Sequence, residues 1–221
     1  MTPGPDTVVL IHGLWVHGIA MALMRRRVER GGYRAVSYSY PSLRFTLAEN
    51  VERLAGYCRS LAASQLHFVG HSLGGLIVLR LLERPDAPPA GRVVLIGSPV
   101  AGSHAARRLA RLPGGRAALG RSMSQWLSAA PAVARGGVDI GIIAGTLPVG
   151  LGRIVAPDLA PPNDGAVSVA ETRLPGARDT ITLNVSHSGM LVSRAVAQQI
   201  VHFLRDGAFD KAEGGRRKAE G

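Results

Sequence analysis

Cysteine is almost missing from this chain. Cys58 is the only one in 221 residues, which excludes an internal disulfide and a metal site built from cysteines. It falls in a helical stretch and reads as a small core residue. Lysine is nearly as scarce: of 26 basic residues only Lys211 and Lys218 are lysines. Acids number 15, so the net charge is +11. Aromatic residues make up 5% and no nucleic-acid motif occurs, so stacking platforms are few and nucleic acid is not an expected partner. Long apolar runs are also missing. The longest candidate, 140–152, falls short of the roughly 18 residues a bilayer span needs, and it contains Pro148. Residues 1–6 lack a basic region followed by an apolar core, so no leader is expected and a cytoplasmic location is.

Hydrophobic residues make up 46%, enough for one domain with a substantial core over 1–210, followed by a charged, disordered tail at 211–221. Short β-branched runs alternate with helical spacing. Strands are expected at 7–11, 34–40, 66–69, 92–97, 138–144 and 180–185. Helices are expected at 19–30, 47–61, 76–83 and 189–204, with loops at 85–91 and up to Pro162. Strand and helix in alternation imply right-handed crossovers and a mostly parallel sheet of about six strands with helices on both faces. Segment 102–134 breaks the pattern with short helices and is expected either to cover the site or to pack as a connecting layer. No internal repeat is present.

The chain is organised around Leu66-His67-Phe68-Val69-Gly70-His71-Ser72-Leu73-Gly74-Gly75, an apolar strand running through Gly-x-Ser-x-Gly into a helix. A serine on so tight a turn needs small neighbours two positions either side. The turn lifts the hydroxyl above the sheet edge, and the helix N-terminus behind it favours negative charge. His12-Gly13-Leu14-Trp15 ends the first strand at the same edge. A serine hydroxyl needs a base. Among seven histidines, His187 follows the last strand by two residues and precedes the last helix, which again places it at that edge. His12 and His71 sit inside turns and read as loop braces. The base needs an acid. Asp164 is chosen because it lies in the rigid turn Pro161-Pro162-Asn163-Asp164-Gly165, with Asp158 second; Asp139 reads as a strand start and Asp179 as part of an exposed turn.

The order Ser72, Asp164, His187, with the serine on an elbow, resembles the α/β-hydrolase superfamily, in particular small bacterial lipases and esterases. The likeness spans about residues 8–204 and rests on 12–15, 70–75, 163–165 and 187–191. It implies an α/β-hydrolase fold lacking its first two strands. It also implies ester hydrolysis through an acyl-serine, with an oxyanion hole from the backbone N–H groups of Leu14 and Leu73. A thioesterase or acyltransferase would use the same residues, and a non-catalytic binding module is the alternative of another class. Carboxylate-nucleophile chemistry is disfavoured because position 72 is serine. The missing cysteine pair and leader, with no acid pair for calcium near Asp164, argue against a secreted triacylglycerol lipase. No cofactor or metal is expected. The expected substrate is a small or lipid-like ester, held by Trp15, Met21, Trp126, Leu127 and the 140–152 stretch. Two basic clusters, Arg107 with Arg108, Arg111, Arg116 and Arg121, and Arg216 with Arg217 and Lys218, suggest peripheral contact with anionic surfaces, although a solvated face explains them too. Oligomeric state is left open.

Overall fold

Strand β1 (Thr7–Ile11) is buried along its whole length, and its side chains alternate between two cores. Val9 and Ile11 point into one, Val8 and Leu10 into the other. Such a strand needs both sheet faces covered. The computed structural model describes residues 6–130, 132–134, 137–150 and 152–211. The expected tail and the basic cluster at 216–218 lie outside them.

The six strands β1, β2 (Arg34–Tyr38), β3 (Leu66–His71), β4 (Ala90–Ile96), β5 (Asp139–Gly145) and β6 (Asp179–Leu183) form one sheet in the order β2-β1-β3-β4-β5-β6. Every pairing is parallel. The helices are α1 (Ala22–Arg30), α2 (Leu47–Ser60), α3 (Leu73–Leu82), α4 (His104–Arg111), α5 (Gly115–Leu127), α6 (Gly152–Val155) and α7 (Arg194–Asp206). Right-handed crossovers send the chain one way from β1 to β2 and the other way afterwards, so α1 and α7 cover one face and α2 to α5 the other. Strand order reverses at β1, which has β2 on one side and β3 on the other. In open α/β sheets the crevice beyond the C-terminal ends at that point is where ligands bind.

Several boundaries differ from the expected ones for local reasons. The closing helix is split: Gly189–Leu191 forms a 3-10 turn, and α7 restarts where the Ser193 hydroxyl accepts from Val196 N at 3.3 Å. The stretch before Pro162 is not all loop, since α6 lies in it. Asp179 opens β6 and is largely buried, its carboxylate accepting from Thr180 N at 2.8 Å, Phe209 N at 2.9 Å and Lys211 Nζ at 2.9 Å. Cys58 is buried in the α2 core, where burial pushes its thiol up to about 12. At the N-terminus of α2, Thr46 and Glu49 form a reciprocal capping box.

The described residues of segment 102–134 pack against α2, α3 and the loop after β1. Leu119, Met123 and Trp126 are buried with α2 and α3, and Asn50 Nδ2 donates to Ser122 Oγ at 2.8 Å. Trp15 Nε1 reaches across to donate to Ala118 O at 2.7 Å. Among the described residues no helix is long and apolar enough to cross a membrane.

Candidate active site

The turn from β3 into α3 is closed by backbone packed against backbone. A Cβ on Gly70 would lie 2.4 Å from Gly75 Cα, and one on Gly74 would lie 2.4 Å from Ile11 O and 2.5 Å from His12 O. Only glycine allows the helix to start so close to the strand ends. Ser72 sits at the apex with φ 54° and ψ −121°, a region unusual for a residue with a side chain. Its N–H donates to Ile96 O at 3.0 Å and its carbonyl accepts from Gly75 N at 3.1 Å, so the strained turn is pinned on both sides. The hydroxyl stands at the C-terminal edge of the sheet in a residue that is only 7% exposed.

The loop after β1 comes to the same place. A Cβ on Gly13 would touch Ser72 Cβ at 3.0 Å. His12, fully buried, braces this loop. Tyr40 N donates to its Nε2 at 3.2 Å, so Nδ1 carries the proton and donates to Gly13 O at 2.8 Å. Tyr40 stacks on the imidazole at 4.4 Å between centroids and donates its hydroxyl to His12 O at 2.9 Å. Burial lowers the His12 pKa, which agrees with a neutral ring. Among the described residues, neither Leu14 N–H nor Leu73 N–H meets an acceptor. For Leu73 this follows from its place as the first residue of α3.

Asp164 and His187 are brought together from two loops. His187 Nδ1 lies 2.7 Å from Asp164 Oδ2, and His187 N donates to Asp164 O at 2.9 Å. The other carboxylate oxygen accepts from Ala166 N at 2.9 Å and Val167 N at 2.7 Å. Asp164 is 1% exposed, so its charge is met by three N–H donors rather than by water. A carboxylate only accepts, so Nδ1 of His187 carries the proton and Nε2 keeps a lone pair. Gly97, at the end of β4, lies beneath the pair. A Cβ there would be 3.1 Å from His187 Nδ1 and 3.2 Å from Asp164 Oδ2.

His71, next to Ser72, joins the two halves. Its ring is 4.7 Å from that of His187 between centroids, and its Nε2 donates to His187 O at 3.1 Å. Burial, and then the neighbouring His187, pull its pKa down to about 3. The neutral ring therefore has its proton on Nε2, and Nδ1 is buried without a hydrogen-bond partner among the described residues.

Other residues singled out in the sequence lie elsewhere. Asp158 is exposed and pairs with Arg108 at 2.7 Å and His104 at 3.3 Å. Met21 is fully buried in the α1–α7 core and lines no open surface. Trp126 is 4% exposed, and with Leu127 it lines a recess of about 150 Å³ that also includes Val100, Gly102 and Arg107. Trp15 is half exposed and held to α5. Sequence reasoning did not single out Gly97 or Tyr40. The one signal for Gly97 is a glycine directly after a buried strand, at the sheet edge that carries the serine.

A family model described as "Alpha/beta hydrolase family" matches residues 8–206. No curated protein sequence matches the chain. Among solved structures, a Bacillus licheniformis lipase in its propeptide form is similar with a TM-score of 0.65 at 20% identity, over 91% of this chain and 51% of that one. The chain thus spans about half the length of that protein. The mature form of the same lipase matches with a TM-score of 0.65 at 19% identity, over 93% of this chain and 92% of that one. A Paleococcus ferrophilus monoacylglycerol lipase matches with a TM-score of 0.62 at 17% identity, over 92% of this chain and 96% of that one. At such identities the likeness shows the fold.

Proposed function

Because the chain belongs to the alpha/beta hydrolase family, we propose that it is a serine hydrolase that cleaves carboxylic esters through an acyl-serine intermediate. The observation that carries this reading is the 2.7 Å contact of His187 with buried Asp164 at the sheet edge where the elbow presents Ser72. The lipase names of the structural neighbours agree with an ester as substrate.

In this reading His187 Nε2 takes the Ser72 proton as Oγ attacks the ester carbonyl. Asp164 holds the tautomer and stabilises the imidazolium. The free N–H groups of Leu14 and Leu73 receive the oxyanion, where preorganised donors cost no reorganisation during the reaction. The alcohol leaves with the proton from His187. Water, activated by the same nitrogen, then attacks the acyl-serine, and collapse of the second tetrahedral intermediate releases the acid and restores the Ser72 proton. The recess beside Trp126 and Leu127 is lined by none of Ser72, His187, Leu14 and Leu73, so the acyl chain is not assigned to it.

The test is labelling with a fluorophosphonate probe, followed by turnover of aryl esters of increasing acyl length. Wild type is expected to label at Ser72 and to turn over aryl esters, and the chain-length profile separates esterase from lipase-like behaviour. Ser72→Ala is expected to fold normally, to lose labelling, and to lose turnover by several orders of magnitude. An unchanged rate in that variant would sink the mechanism. A well-folded wild type that neither labels nor turns over ester would favour a binding module. Faster turnover of acyl thioesters would keep the triad and change the leaving group.

A further inference from the structure

One cavity is lined by four arginines. It lies between α1 and α7, on the sheet face opposite α4 and α5, and has a volume of about 380 Å³. Arg27 and Arg30 come from α1, while Arg194, Gln198, His202 and Arg205 come from α7. The α7 residues are spaced three or four apart and so form one stripe. Gly31 lets the helices close: a Cβ there would lie 2.6 Å from Val201 Cγ2.

The charges in this groove are poorly matched. Asp206 answers Arg205 at 2.8 Å and His202 at 3.4 Å. Among the described residues Arg27 donates only to a carbonyl, Val192 O, at 2.5 Å. Arg30 and Arg194 have no hydrogen-bond or ion-pair partner among the described residues. Three guanidinium groups therefore line one concavity with no carboxylate paired to them among the described residues. Like charges so arranged repel unless an anion sits between them. The α4–α5 cluster that stood out in the sequence is itself paired only in part, Arg108 with Asp158 at 2.7 Å and Arg121 with Glu49 at 3.8 Å. The groove's arginines are far apart in the chain and meet only in the fold.

We propose that this groove binds a phosphate-bearing anion. Planar guanidinium forks match phosphate oxygens in pairs, and this chemistry serves a soluble phosphorylated molecule and a phospholipid headgroup alike. The rim gives the lipid source a physical basis. Leu23, one turn before Arg27 on α1, and Val192, whose carbonyl accepts from Arg27, are 38% and 57% exposed. The proposal stands apart from the hydrolytic reading, because none of its residues belongs to the triad.

The experiment uses the full chain at low ionic strength. One arm titrates inorganic pyrophosphate by calorimetry. The other floats the protein with vesicles of phosphatidylcholine, alone or mixed with phosphatidylglycerol. The groove pair Arg27→Gln with Arg194→Gln is compared with a control pair, Arg111→Gln with Arg116→Gln, which removes the same charge from the other face. The groove pair is expected to weaken binding roughly tenfold or more and the control pair less than about twofold. Pyrophosphate binding without vesicle binding identifies a soluble ligand. Binding only to the phosphatidylglycerol vesicles identifies a headgroup. Equal loss in both pairs, or no binding in either arm, overturns the proposal. Should the groove pair melt abnormally, Arg30→Gln alone carries the same comparison.

Discussion

Around Ser72, backbone packs on backbone, and the space is so tight that a single added carbon at Gly74 would meet two carbonyl oxygens within 2.5 Å. Around Asp164 the geometry is held by hydrogen bonds instead. Three N–H donors converge on one carboxylate, and Asn163 ties the loop down through Leu159 O at 3.2 Å and Gly165 N at 3.0 Å. Both regions serve one sheet edge. The elbow depends on volume and the acid loop on polarity, so the two should fail in different ways. A change of charge at constant shape should disable the loop and spare the fold. A change of volume at constant polarity should damage the fold at the elbow.

Asp164→Asn gives the largest expected effect. The amide oxygen can still accept from Ala166 N and Val167 N, so the loop and the melting temperature should change little. The amide nitrogen would then face His187 Nδ1 and force the proton onto Nε2, removing the base. Ester kcat should fall about 10³–10⁴-fold. Steady-state kinetics beside a thermal melt checks both halves, and a large loss of stability would break the contrast. Gly74→Ala comes next. Its new methyl meets Ile11 O and His12 O, which belong to a strand and loop packed on both sides and cannot move aside. Overpacking of this kind costs about 1–3 kcal/mol or more. Urea unfolding should show a lower midpoint, and activity should fall with the folded fraction. A Gly74→Ala protein of normal stability would mean that the elbow is looser than its contacts indicate.

Local devices were legible in the sequence, and convergent ones were not. The buried strand before His12 and the strand–serine–helix turn each lie within a few residues, so spacing alone reveals them. The neighbourhood of Asp164 was legible for the same reason, because its carboxylate bonds N–H groups two and three residues ahead. Met21 shows the limit. A methionine just beyond a site loop reads as a pocket residue, yet crossover handedness turns it into the α1–α7 core. The break before α7 was hidden because 189–204 keeps apolar helical spacing while Ser193 quietly caps a second start. Gly97 and the arginine groove depend on elements meeting from distant parts of the chain, and no window of sequence contains them.

His71 offers the smallest effect and the sharpest comparison, because it belongs to the elbow yet bonds the histidine of the acid loop. Burial holds its folded pKa near 3, against about 6.5 in an unfolded chain. Between those values the unfolded state binds a proton that the folded state refuses, so stability rises with pH. The contribution is complete above pH 6.5 and drains away as pH falls toward 3. His71→Gln keeps an N–H that can donate to His187 O but does not titrate. Its melting temperature should therefore fall less than that of wild type between pH 6.5 and about pH 5, before most carboxylates protonate. His12 and His67 are also depressed by burial, so some slope should remain in both proteins. His71→Leu loses the donor as well. It leaves the His187 carbonyl without its partner, at a cost of about 1–3 kcal/mol, and should lower kcat where the Gln variant does not. Identical pH slopes in wild type and His71→Gln would mean that the elbow and the acid loop are not joined through a neutral imidazole. Their coupling would then have to run through the Gly97 floor alone.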